Sequence, residues 1–442
     1  MTKTKIGLMV VASRFESGGE RAEELARSAQ EMLIKEGYEV QAATKTVWDP
    51  ADALAEITRI AKEEPDLLLV IHASWVLDSL QYILANNSKC PLVLWAVPYT
   101  ETFSLACVQH FSSILRQHGL TCNHLYGLPG DKDLQAKLAI YAAAARAYQA
   151  VKRARIALLG PRQTWRVASS QDMTSEEWDF TKTFGTTIVH IEMQELLNAA
   201  KAQTEEAAAM ALAEMRSSGR LIEPLADEER LLQAARVYLG VKQLAAHYGL
   251  NAVAAECYPN YIGLTNLPAS WLADEGFVLE TEGDIGHTTV MLALNEIAPG
   301  VTALAEASSY DIAQDSVYLA HGGSSAHSLA EDLSRVHIPQ NGKFVGLPFK
   351  PSPIVTLAGL CGLAGTYRMT IATGAIASAS QKEWDDAGNR FVAKFRPAGG
   401  AMAFVKRMLA AGTDHHVLIR EGDLTEQLGV FCDLFGLEKV LF

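Results

Sequence analysis

A chain of 442 residues with 49% hydrophobic content can bury several cores, and at ordinary domain sizes it predicts about three domains. Its 38 Lys+Arg against 51 Asp+Glu give a formal net charge of -13, which argues against nucleic acid or an anionic membrane surface as partner and leaves small molecules, cations and proteins. The six cysteines (Cys90, Cys107, Cys122, Cys257, Cys361 and Cys432) form no C-x-x-C pair, so neither a zinc knuckle nor a disulfide framework is indicated, as expected of a reducing cytoplasm.

The opening "MTKTKIGLMVVASRFES" has basic residues before an apolar run, but the run is short and has no small-residue cleavage site, so it reads as a first strand rather than a leader. From residue 5 to about 150, apolar runs ("IGLMVVA", "EVQAAT", "PDLLLVIHA", "CPLVLWAVP") alternate with amphipathic stretches such as "GGERAEELARSAQEMLIKEG". Wholly apolar strands alternating with helices predict a parallel sheet covered on both faces. The Ala-rich "DLQAKLAIYAAAARAYQAVKRA" reads as a helix leading out, and the pattern restarts at "RIALLG" and runs to "LNAVAAECYPNY". After "IAPG" shorter runs separated by Gly and Pro ("SVYLAHGG", "PSPIVTLAGL", "TYRMTIATGAIA", "NRFVAKFRP") predict an antiparallel or barrel-like region. The expected domains are residues 1–153, 154–295 and 296–442. No apolar stretch approaches the roughly 18 residues of a membrane span.

No G-x-G-x-x-G or G-x-S-x-G occurs, so nucleotide binding and a serine nucleophile are not indicated. Carboxylates or imidazoles fall instead at four predicted strand ends: Glu256 in "VAAECYP", Glu282 and Asp284 in "LETEGD", His321 in "VYLAHGG", and His415 and His416 in "TDHHVLIREGD". Each alone has an ordinary reading, a strand meeting solvent or a satisfied core histidine. Strand alternation predicts a solvated face for Glu280, Gly283 marks a break, and His287 is expected to cap or pair locally. Taken together, two carboxylates and two imidazoles without thiolates suit a hard or borderline divalent ion, Mn²⁺ before Zn²⁺, Co²⁺ or Mg²⁺. "HGGSSAHS" offers backbone N–H groups to an anion, although such a loop is more often only a turn.

The succession "ECYP", "LADEGFVLETEGDIGHTTVMLAL", "VYLAHGG", "PSPIVTLAGL" and "HHVLIREGDLTEQLGVFCDLFGLEKV" resembles the L-fucose isomerase and L-arabinose isomerase superfamily, in its shorter and more diverse members, over nearly the whole chain. The resemblance implies two Rossmann-like α/β domains followed by a C-terminal antiparallel β-barrel-like domain, a homo-oligomer (trimer or hexamer), and a cytoplasmic, Mn²⁺-dependent aldose–ketose isomerase. By motif it places Asp284, His321 and His416 on the metal. Relatives carry an acid just after the Tyr-Pro pair, where this chain has Asn260, so Glu256 is taken as the remaining metal ligand, with Glu282 in reserve. Ala375 also replaces an acid common in relatives.

These readings combine into an expected activity: isomerisation of an open-chain sugar or anionic sugar derivative through a cis-enediolate, with Glu256 and Asp284 as catalytic carboxylates. Glu282, His415, Arg14, Arg162 and Trp165 are the expected substrate-binding residues, the last three because they follow predicted strands and suit a charged or apolar substituent. The rival readings are a non-catalytic sugar-binding or regulatory protein, and a metal-dependent sugar epimerase or lyase on the same scaffold.

Overall fold

A computed structural model of the protein describes residues 3–160, 177–221, 227–323, 325–363 and 365–442. The chain forms two units, Met1–Gln149 with Glu426–Gly436, and Ala150–Thr425 with Leu437–Phe442.

In the first unit the apolar runs become the strands β1 (Lys5–Val11), β2 (Glu39–Ala42), β3 (Leu67–His72), β4 (Leu92–Ala96) and β5 (Cys122–Tyr126), all parallel in the order β2-β1-β3-β4-β5. The inner strands β1, β3 and β4 lack polar alternation because helices cover both faces, whereas the edge strands β2 (EVQA) and β5 (CNHLY) keep polar, partly exposed residues. Ile6, Leu8 and Val10 of β1 pack with Leu25, Ala29 and Leu33 of the helix Ala22–Lys35. On the opposite face Met9 and Val11 join Ile57, Leu80 and Phe111 from three other helices.

In the second unit β6 (Arg155–Leu159), β7 (Thr187–Ile191), β8 (Ala252–Ala255) and β9 (Val278–Glu280) make a second parallel sheet in the order β7-β6-β8-β9. The helix Glu228–Tyr248 precedes β8; Asp227 caps it by accepting the Arg230 N–H, and Gly249 ends it in the left-handed region. Leu231, Val237 and Val241 of this helix are buried in one core with Val253 of β8 and Leu279 of β9.

The remaining strands are β10 (Ala303–Asp311), β11 (Ser316–His321), β12 (Ser352–Leu363), β13 (Thr366–Ala377), β14 (Phe391–Pro397), β15 (His416–Glu421) and β16 (Glu438–Leu441). Their order is β12-β15-β10-β11-β14-β13-β16, and β12 also pairs with β13, so six strands pair in a ring. The purely antiparallel expectation is corrected at one edge. β16 runs parallel to β13, because the chain makes the helix Thr425–Phe435 after β15 before its last strand returns. Among the described residues no helix is long and apolar enough to cross a membrane.

Candidate active site

Three backbone ends of the second unit bring the polar residues together. β9 stops at Glu280, and Gly283, at φ +78, turns the chain into the helix Ile285–Ile297, for which Asp284 is the N-cap. The break expected at Gly283 is therefore present, and a side chain is barred there on two counts: the left-handed backbone, and a Cβ that would lie 2.7 Å from the Glu256 carboxyl carbon. β11 ends at His321, whose ring packs against Gly323 closely enough that a Cβ on Gly323 would strike it. β15 begins at His416.

Glu280 departs from expectation. It is 2% exposed, and its two carboxyl oxygens accept the backbone N–H groups of Glu282 (2.6 Å) and Asp284 (2.7 Å). The strand ends there, so alternation no longer governs it, and the side chain folds beneath the loop it supports. Burial first, then the neighbouring charges of Asp284 and Glu282, push its carboxyl well above the usual range.

Asp284 is fully buried. Its Oδ1 accepts the His287 backbone N–H at 2.8 Å, and its Oδ2 lies 2.7 Å from His287 Nδ1 and 2.8 Å from His416 Nδ1. Desolvation acts to raise its pKa, but the charge and hydrogen bonds of the two imidazoles outweigh this and hold the carboxyl below the ordinary range. An ionised carboxylate only accepts, so both Nδ1 atoms donate. His287 thus pairs locally, as its position in the sequence suggests, and its Nε2 accepts the Leu360 N–H at 3.3 Å.

With Nδ1 committed to Asp284, His416 turns Nε2 toward two further carboxylates, 3.7 Å from Glu282 Oε2 and 3.7 Å from Glu306 Oε1. His321 Nε2 lies 3.5 Å from Glu282 Oε1, and His321 Nδ1 accepts the Gly323 N–H at 2.9 Å. Among the described residues the Nε2 atoms of both histidines are buried without a hydrogen-bond partner. Burial disfavours charge on His416, but Asp284 and Glu282 outweigh it and raise its pKa well above the imidazole range. His321, dominated by burial, is lowered. Glu282 resists its own desolvation through His416 and His321 and stays lowered; Glu306 is lowered first by its hydrogen bond to His415.

Glu282, His321 and His416 form one group with ligand-atom spacing suited to an ion; Asp284, His287 and His416 form another, and Glu306, His415 and His416 a third. Glu306 was not singled out in the sequence, where "ALAEASSYD" reads as an ordinary strand entering solvent. It reaches the site through strand pairing: Glu306 sits opposite His416 on β15 and Ala320 on β11. His415 is more than half exposed and stands 3.4 Å from Glu306 Oε1. Glu256 is buried with its carboxyl against Gly283 and belongs to none of the three groups. Arg14 lies in the first unit with its guanidinium 4.9 Å over the Trp48 ring. Arg162 and Trp165 lie outside the described residues, as does Ser324 of the "HGGSSAHS" loop.

No family model matches the chain. Among curated proteins it is 22% identical over 399 residues to a sulfoquinovose isomerase of Clostridium sp. (strain MSTE9), covering 86% of each chain. It is 23% identical over 373 residues to the sulfoquinovose isomerases of Priestia aryabhattai and Priestia megaterium, covering 80% of each. Among solved structures, an ABC transporter solute-binding protein from Burkholderia multivorans aligns at 12% identity over 67% of this chain and 93% of its own, with a TM-score of 0.20 that carries no argument. The isomerase relatives, aligned along four fifths or more of the chain, indicate an isomerase, an intramolecular oxidoreductase.

Proposed function

We propose that the chain is a divalent-metal-dependent aldose–ketose isomerase for an anionic sugar, with sulfoquinovose as the first candidate. The observation that carries this reading is the convergence of Glu282, Glu306, His321 and His416 from the β9 loop, β10, β11 and β15. Two buried imidazole Nε2 atoms that have no hydrogen-bond partner among the described residues and that face carboxylates fit the donor set of Mn²⁺ or a similar ion once each gives up its Nε2 proton. In this reading Glu282, Glu306, His321 and His416 hold the cation, in place of the sequence-level set that included Glu256 and Asp284. The relatives are sulfoquinovose isomerases, and sulfoquinovose is a sulfonated, anionic sugar.

When bound, a divalent cation supplies polarisation of the substrate's carbonyl and hydroxyl oxygens. The chain's own groups do the rest. Glu306, with a side chain 41% exposed, stands on the accessible side of the cluster and is assigned the proton transfer, taking the hydrogen from C2 of the aldose and returning it to C1. The accompanying proton passes from O2 to O1, so the change is balanced and passes through a cis-enediolate. His415 beside Glu306 is placed to bind a substrate hydroxyl. The cytoplasmic setting, the trimer or hexamer and the division of the second unit at about residue 295 remain part of the same proposal.

Purified protein should convert sulfoquinovose to its ketose with added Mn²⁺, and should lose turnover on chelation. Undiminished activity with no metal found by elemental analysis would end the metal-dependent reading. An epimerised aldose or a cleaved carbon chain as product would move the protein to the neighbouring reaction classes.

A further inference from the structure

We infer that a small cavity between β9 and β10 is a binding site for water, about one or two molecules, and that this water joins the second parallel sheet to the ring of strands behind the loop that carries Glu282.

The cavity follows from strand pairing. β9 is the last strand of its sheet and pairs with β8 along one side only. β10 pairs with β15 from Ala303 but with β11 only from Glu306, so Ala303, Leu304 and Ala305 are paired on one side alone. Among the described residues no backbone hydrogen bond joins residues 277–281 to residues 301–305. An edge strand turns part of its N–H and C=O groups away from its ladder, and inside a protein those groups need partners. Both edges border one cavity of about 30 Å³, lined by residues 277–281 and 301–304 and bounded by the helices Asn266–Asp274 and Ile285–Ile297 and by Ser325.

Ser325 supplies an independent observation. It is 4% exposed, its carbonyl accepts the Ser270 hydroxyl, and its own hydroxyl has no hydrogen-bond partner among the described residues. A hydroxyl removed from bulk water is destabilising unless something in the cavity meets it. A space of roughly 10–15 Å³ admits one water, and polar walls hold it where apolar walls stay dry. Water also suits this wall better than Na⁺ or K⁺. Strand edges present N–H donors beside C=O acceptors, and Glu280, the carboxylate in the wall, already accepts the backbone N–H groups of Glu282 and Asp284 with its two oxygens. The consequence reaches the site. β9 leads into the loop of Glu282 and β10 carries Glu306, so the two carboxylates that face His416 hang from strands joined by water rather than by a ladder.

Diffraction and solution relaxation test this separately. In atomic-resolution diffraction from the parent protein, density is expected in the cavity within hydrogen-bond distance of Ser325 Oγ, and an empty cavity overturns the inference. In solution, ¹⁷O magnetic relaxation dispersion counts the waters held inside a protein. Ser325→Val removes the hydroxyl and fills the space with methyl groups, so it should lower that count by about one or two relative to the parent. An unchanged count in a folded Ser325→Val protein also overturns the inference; should that variant not fold, the diffraction result on the parent decides. Parent crystals soaked in Tl⁺ separate the rival ligand. Anomalous density in the cavity would assign it to a monovalent cation and overturn the water site, whereas ordinary density without an anomalous signal supports water.

Discussion

His72 and His416 are both 1% exposed and both sit at the end of a strand, one in each unit, yet their surroundings drive them in opposite directions. His72 terminates β3 beside a neutral Gln81, whose Oε1 is 3.2 Å from its Nε2, and burial pushes it down to about 4. His416 meets the same desolvation, but Asp284 and Glu282 hold it well above its ordinary value. Burial alone therefore does not make a histidine functional. His72 meets the uncharged Gln81 and Ser104, whereas the loop after β9 carries Glu280, Glu282 and Asp284 within five residues and must offset them with imidazoles and, in the proposed function, with a cation.

Removing the charge that faces His416 should have the largest effect. Glu306→Gln should lower kcat by about 10²- to 10⁴-fold, the range for loss of a general base, while Glu256→Gln should stay within about tenfold of the parent. Steady-state kinetics on sulfoquinovose would check both, and a reversal of the two would return the proton transfer to Glu256. The next test addresses His72. Its folded pKa near 4 lies below the ordinary 6.5, so the unfolded chain binds the extra proton between those values. The stability contributed is full above about pH 6.5 and is lost as pH falls through about 4, a difference on the order of 3 kcal/mol at most. His72→Gln should accordingly flatten the decline of the thermal midpoint over that window. An unchanged slope would show that His72 is not what makes the first unit acid-sensitive. The smallest effect is expected at Gly283, where Gly283→Ala should cost about 1–2 kcal/mol for the left-handed backbone, plus displacement of the Glu256 carboxyl. Chemical denaturation measures the cost, and a neutral outcome would mean that the loop relaxes freely.

The fold was legible wherever information is local. Uninterrupted apolar runs such as "LLLVIH" and "LVLWA" identified inner parallel strands because two covered faces leave no polar alternation. Asp284, His321 and His416 could be singled out in the sequence because each stands at the end of an apolar segment, and the structure brings the three close together. Glu306 was not singled out, because its place beside His416 follows from a strand pair 110 residues apart in sequence, a register no local pattern encodes. Glu280 was misjudged for a related reason. Alternation predicts its direction only while the strand continues, and here the strand ends on that residue so that its side chain can bind the turn beyond it.

The return of Glu426–Gly436 to the first unit, followed by the last strand in the second, bears on how the chain is made. A ribosome delivering roughly 5–20 residues per second completes Gln149 about 15–60 s before it reaches Glu426. During that interval the nascent first unit lacks the segment that carries Phe431 and Cys432, both buried in the finished protein. Its surface must stay soluble, alone or under a chaperone, until that segment is made. A premature stop near residue 425 would therefore damage the oldest part of the molecule as much as the newest.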